Sequence, residues 1–254
     1  MVSLQTKVID FRAGSGSGET QTSWYRIRRR FSNGNWFDPQ QMGFGNLRIW
    51  NEVFLAPGSG FDNQPRDNME FILLPLDGQL KYSDGLGNRG VAAPGEVMVL
   101  STGTGMFHTE FNADAHRPLN YLQIGILPHK RNLPPEFKKI TFAESVLQPG
   151  FSQFLGEGSP FEGAEIRQDT RFFWGNFKSG ESVRLPQCTE DTGFFLHLLK
   201  GEISLAGRNL SAGDAAGIRS PVPQEINIQK SSILLLISLP MPQNPAPLTS
   251  GIFL

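Results

Sequence analysis

The feature that most constrains this chain is an internal repeat. Phe71 to Leu80 reads FILLPLDGQL and is followed by Ala93-Pro-Gly-Glu-Val97. The stretch Phe195 to Leu205 reads FLHLLKGEISL and is followed by Ala212-Gly-Asp-Ala215. Each copy spells an apolar strand, a tight Gly turn, a second strand and a Gly-acid turn, so the chain is expected to build one β-unit twice. Around these copies, short runs of strand length recur at Leu47–Leu55, Glu70–Leu76, Gln79–Ser83, Glu96–Leu100, Phe107–Phe111 and Tyr121–Leu127. They are punctuated by Ala56-Pro57-Gly58, Asp77-Gly78, Asp84 to Asn88 and Pro94-Gly95, which supply fixed or positive φ at turns. The 28 glycines and 18 prolines are spent this way, not gathered into a tract. Helix is expected only briefly, around Pro134–Lys138 and Phe142–Val146. The apolar run Ile233–Leu239 is far below the roughly 20 residues needed to cross a bilayer and reads as a buried strand.

An all-β chain of 254 residues in two similar halves is therefore expected, with a first domain over 1–132, a linker over 133–157 and a second domain over 158–254. The Pro-rich tail Met241–Leu254 ends in Gly-Ile-Phe-Leu and is read either as frayed or as docking on the other domain. With 23 basic against 24 acidic residues, no field of one sign draws the chain to nucleic acid or a membrane surface. The single cysteine, Cys188, excludes an internal disulfide and is read as structural. A cytoplasmic location is expected.

Several spaced motifs resemble the pirin family of bicupins, and its bacterial quercetinase-like members in particular. They are Trp36-Phe-Asp-Pro39, Met42-Gly-Phe44, Gly58 to Glu70 (GSGFDNQPRDNME), Leu76-Asp-Gly78, Asp84 with Gly87-Asn88, Pro94-Gly95 and Thr102 to Glu110 (TGTGMFHTE). The resemblance runs over roughly the first 130 residues, the second half matching as a degenerate cupin repeat. It implies a bicupin, two jelly-roll-type β-barrels in tandem, with one iron-type metal in the first barrel held by three histidines and a glutamate. The family's first two ligands form His-Pro-His; the matching residues here are Gln64-Pro65-Arg66. The other two are kept as His108 and Glu110, and Glu70 matches the glutamate of the general cupin motif.

Side chains two apart on a strand share a face, so His108 and Glu110 point together, as do Gln64 and Arg66. A divalent ion wants lone pairs from imidazole and carboxylate. Gln64 offers a weak carbonyl, and Arg66 is a permanent cation with five donors and no acceptor. The expectation is that the Arg66 guanidinium sits where the metal would sit and pairs with Glu110, leaving the chain without a cofactor. A single divalent ion (iron, manganese, nickel or zinc) on His108 and Glu110 is the alternative. The predicted ligand-binding set is Arg66, Gln64, His108 and Glu70, taking a planar or anionic small molecule, in a binding or regulatory role for a monomer. The enzymatic alternative is metal-dependent ring opening of a flavonol with Glu110 as the base; a protein-interaction scaffold is the third class. His197 is read as a satisfied core histidine, His116 and His129 as surface residues, and the cluster Arg26, Arg28, Arg29 and Arg30 as charges offset by acidic surface.

Overall fold

A computed structural model of the chain describes residues 9–241, so the expected tail lies, from residue 242 onward, outside the described residues. The first strands are β1 (Ile9–Arg12), β2 (Gly18–Gln21), β3 (Tyr25–Arg29), β4 (Leu47–Leu55), β5 (Gly60–Arg66) and β6 (Glu70–Asp77). There follow β7 (Leu80–Asp84), β8 (Arg89–Ala92), β9 (Glu96–Ser101), β10 (Met106–Asn112), β11 (Leu119–Ile126) and β12 (Glu136–Thr141). After the helix α1 (Ala143–Leu147) come β13 (Gly150–Leu155), β14 (Arg171–Phe177), β15 (Ser182–Leu185), β16 (Thr192–Leu205), β17 (Arg208–Ser211), β18 (Ala215–Ile218) and β19 (Gln224–Pro240). The first half faces a seven-stranded sheet, in the order β12-β9-β6-β11-β4-β3-β2, against a four-stranded sheet, β5-β10-β7-β8. The second half is an eight-stranded sheet in which the long strands β16 and β19 serve both walls. This is the bicupin architecture that the family resemblance implies.

Two details differ from the sequence reading. Lys200-Gly201 is not a turn between strands. It is a bend inside β16, where Gly201 takes φ +94° and the register against β19 shifts. The stretch around Pro134–Lys138 is not helical; Glu136–Thr141 pairs antiparallel with β9, and that ladder overrides the local helix signal. Three strands also depart from the division drawn on the sequence. β1, from the N-terminal stretch, pairs with β18 of the second half, and the segment 133–157 supplies β12 to one half and β13 to the other.

The seven-stranded sheet is buried on both faces, which is why its central strands read as nearly continuous apolar runs. On β6, Phe71 and Leu73 face the interior of the first half, while Ile72 and Leu74 face a core shared with the second half. In that shared core Phe195 packs against Phe31, Phe44 and Trp50 with ring centroids 5.6, 5.9 and 5.0 Å apart. Among the described residues no helix is long and apolar enough to cross a membrane.

Candidate functional site

β10 alternates buried and part-exposed residues, and this period aims His108 and Glu110 into the space between the two sheets of the first half, where both are essentially fully buried. Facing β10, β5 carries a bulge: two residues, Asp62 and Asn63, oppose Thr109, and Asn63 sits at φ +50°. Gly60 lies so close to the Glu110 carbonyl that a Cβ would meet it at 2.4 Å, so only glycine permits this approach. The bulge leaves Gln64 opposite His108 and Arg66 opposite Met106.

The expected ion pair between Arg66 and Glu110 is not formed. The Arg66 guanidinium donates through Nη2 to Gln64 Oε1 at 2.9 Å and through Nη1 to the Pro65 carbonyl at 2.9 Å, and it lies over the Phe71 ring, 5.3 Å from its centroid. Its proximity to Gln64 on the same strand face wins over the longer reach to β10. Glu110 is instead satisfied by three side-chain donors from β10 and β11. Oε1 accepts from His108 Nε2 at 2.8 Å and from Gln123 Nε2 at 2.9 Å, and Oε2 accepts from the Tyr121 hydroxyl. Burial pushes the Glu110 carboxyl up, but the hydrogen bond and charge of His108, the Tyr121 hydroxyl and the charge of Arg66 outweigh it and hold the group below the usual carboxylate range. Burial likewise lowers Arg66, with Glu110 and Tyr121 opposing.

Sequence reasoning missed a chain of amides that leads away from Glu110. Gln123 Oε1 accepts from Asn51 Nδ2 at 3.0 Å, and Asn51 Oδ1 accepts from Asn33 Nδ2 at 3.0 Å. All three amides are buried, and all line a cavity of about 650 Å³ together with Gln64, Arg66, Arg29 and Phe71. Trp24, Tyr25 and Phe61 form an aromatic cluster on its wall, with centroids 4.5 to 5.3 Å apart. His108 and Glu110 do not line this cavity; Glu110 is coupled to it through Gln123, which does.

Glu70 does not belong to this site. It sits on the opposite face of β6, toward the second half, where Oε2 accepts from Ser101 Oγ at 2.7 Å and from the Arg167 amide at 3.3 Å. Burial raises its pKa, and those two donors only partly offset it. The motif residues Asp84 and Asn88 prove to be a turn device: Asp84 accepts from the amides of Leu86 and Asn88, the Asn88 side chain and the Tyr82 hydroxyl. His116 and His129 are exposed. His197 is buried and pushed well below the usual histidine range by burial and Arg30, yet its Nδ1 has no hydrogen-bond partner among the described residues. Cys188 is buried against the Ile218 carbonyl at 3.5 Å. Within the arginine cluster, Arg28 pairs with Glu19 at 2.9 Å, while Arg29 and Arg30 are buried.

Residues 12–126 match the family profile Pirin, and residues 159–239 match the quercetinase C-terminal cupin domain. The chain belongs to the pirin family. It is 28% identical over 235 residues to a quercetin 2,3-dioxygenase of Escherichia coli K12, covering 92% of this chain and 99% of the relative. It is similarly 28% identical to a pirin-like protein of Caulobacter vibrioides over 91% of this chain and 99% of the relative. The solved structure of the bacterial pirin YhhW of E. coli in complex with nickel(II) superposes with a TM-score of 0.83 at 27% identity, covering 91% of this chain and 99% of that one.

The relatives thus raise the question of a metal, and the donors present here do not fit one. The Gln64 carbonyl is taken by Arg66, both Glu110 oxygens are taken by three donors, and Arg66 has no lone pair to give. His108 Nδ1 is the one unpartnered ligand-type atom of the four positions. Among the described residues no group of three or more His, Cys, Asp or Glu side chains has the arrangement to hold an ion.

Proposed function

We propose that this pirin-family bicupin binds a small planar molecule through an anionic oxygen in the first-half cavity, at a centre poor in metal. The observation that carries this is the Gln64–Arg66 hydrogen bond at the positions of the family's His-Pro-His ligands. It turns a pair that should donate lone pairs into one that presents a desolvated cation beside Phe71. A cavity of about 650 Å³ with an aromatic cluster on one wall suits a drug-sized planar ligand. The protein is taken to act in binding or regulation, as a monomer whose two halves bury a common core on one another, in the cytoplasm and without a nucleic-acid or membrane partner.

The relatives' names carry a second reading, oxidative opening of a flavonol ring. That chemistry needs a metal whose donor set is broken here at two of four positions.

The test combines elemental analysis with ligand-induced thermal stabilisation, using benzoate as the anionic aromatic probe. Protein purified without chelator after iron, manganese, nickel and zinc supplementation is expected to hold well under one ion per chain. Benzoate is expected to raise the melting temperature of the wild type and not of Arg66→Ala. Equal stabilisation of both removes the role of Arg66. Near-stoichiometric metal, lost on His108→Ala or Glu110→Ala, restores the oxygenase reading.

A further inference from the structure

Arg29, at the end of β3, lines the same cavity as Arg66. It is 7% exposed, and among the described residues it has no carboxylate partner. An unpartnered Nε is shared with Arg30, so the difference lies in the terminal nitrogens, for which the other buried arginines find more acceptors. Arg30 donates to the carbonyls of Arg12, Ala13 and Gly213, and Arg48 to those of Gly45 and Leu47. Arg29 donates only to the Thr20 hydroxyl, at 2.8 Å, and its Nε has no partner. Arg66, half-buried, resembles it in having a buried Nε without a partner, neutral acceptors alone, and no carboxylate within ion-pair distance among the described residues. Burial lowers the pKa of both. Asp62 and Asp67, also on the cavity wall, are exposed and make no ion pair with either arginine, so their charge is screened by water.

A guanidinium largely withdrawn from water and held only by neutral acceptors, as fully buried Arg29 and half-buried Arg66 are, is costly unless a ligand completes it. Two of them on the wall of one cavity, with apolar Ile27, Ile49, Val53 and Met69 also lining it, describe a site for two anionic groups carried on one apolar body. From this geometry we infer that the natural ligand bears two anionic groups, one held by Arg66 and the second by Arg29, on an aromatic or otherwise apolar frame. The inference rests on the reading of Arg66 given above and extends it to the ligand class.

The experiment is isothermal titration of benzoate, isophthalate and terephthalate into the wild-type protein, Arg29→Ala, Arg29→Met and Arg66→Ala. Arg29→Met keeps the aliphatic stem, so lost packing is separated from lost charge. For the wild type, at least one dicarboxylate is expected to bind about ten-fold tighter than benzoate, as one further charge-assisted contact gives. Both Arg29 variants are expected to bring that dicarboxylate down to the affinity of benzoate, with benzoate itself unchanged. Dicarboxylates no tighter than benzoate in the wild type overturn the second anionic site while leaving the Arg66 reading intact. So does a loss in the Arg29 variants that is equal for benzoate and dicarboxylate. Failure of the wild type to bind benzoate at all, or binding that Arg66→Ala leaves untouched, overturns the underlying reading and this one with it.

Discussion

Nε2 of His108 lies 2.8 Å from Oε1 of Glu110, and both side chains are fully buried. With Tyr121 and Gln123 completing the carboxylate's shell, this pair is the polar centre of the first half. Removing the carboxylate strands three donors in the buried interior. Glu110→Ala is expected to destabilise the protein by about 3–5 kcal/mol at pH 7, as loss of one partner of a buried pair does, and Glu110→Gln by less, since an acceptor remains. The pH dependence follows from the depressed folded-state pKa of Glu110. Its contribution is fully present above the unfolded value of about 4.3 and is lost as pH falls through the lower folded value. Urea titrations should show the gap between wild type and Glu110→Gln constant from pH 7 to about 5 and closing below about 4. A gap that closes already near neutrality would contradict the assignment.

Glu70 gives the opposite sign. Burial raises its folded-state pKa, so the folded chain binds a proton over a window where the unfolded chain has released it. Stability from this group is therefore greatest below about pH 4 and falls as pH rises through the window. Glu70→Gln keeps an acceptor for Ser101 or the Arg167 amide without the desolvated charge. It is expected to melt at or above the wild-type temperature at pH 8, the difference shrinking toward pH 4, with benzoate binding unaltered. A loss of binding would return Glu70 to the cavity.

How far the sequence carried this picture depends on the range of the interaction. Leu47–Leu55 and the runs at Glu70, Glu96, Phe107 and Tyr121 were legible as strands because apolar β-rich segments between Gly and Pro turns carry their own signal. The short helix near Phe142 was legible for the same local reason. The inward aim of His108 and Glu110 followed from a period of two. The partners of Glu110 did not, because Tyr121, Gln123, Asn51 and Asn33 come from distant strands at no motif spacing, and buried amides look like surface residues in a sequence. The motif match of Glu70 misled for a related reason: one residue of phase on β6 separates the cavity face from the face toward the second half. The pairing of β1 with β18 is likewise invisible without the fold, since it joins residues about 200 apart.

That pairing makes Arg30 a clamp between the ends of the chain. Its guanidinium bridges the carbonyls of Arg12 and Ala13, at the end of β1, to that of Gly213, just before β18. Arg30→Met removes the side-chain donor to these carbonyls, of which Ala13 keeps the Gly16 amide, and is expected to cost about 1–3 kcal/mol, the cost of an unmet buried group. Amide exchange at Ala215–Ile218 should accelerate more than exchange in β6 and β11. For comparison, Phe195→Ala, which empties the shared core, should cost about 3–5 kcal/mol and speed exchange in both halves. Uniform acceleration in Arg30→Met would show that the residue supports the whole fold and not this junction.

The last prediction concerns what excludes a metal. Two obstacles coexist: non-ligands at 64 and 66, and a carboxylate whose oxygens are already engaged by His108, Tyr121 and Gln123. The hydrogen bonds to Glu110 are reversible, since a divalent ion competes for a carboxylate and an imidazole far better than a neutral amide does. The guanidinium is not, because it can neither donate a lone pair nor lose its proton. The substitutions at 64 and 66 are therefore the decisive obstacle. The double variant Gln64→His, Arg66→His is expected to take up about one nickel(II) or iron(II) per chain by elemental analysis, to gain metal-dependent thermal stabilisation and to lose benzoate binding. Adding Glu110→Gln should abolish the uptake. A double variant that folds, as judged by circular dichroism, and still holds no metal would shift the cause to the hydrogen-bonded shell of Glu110, and Tyr121→Phe in the same background would then be the change that admits the ion.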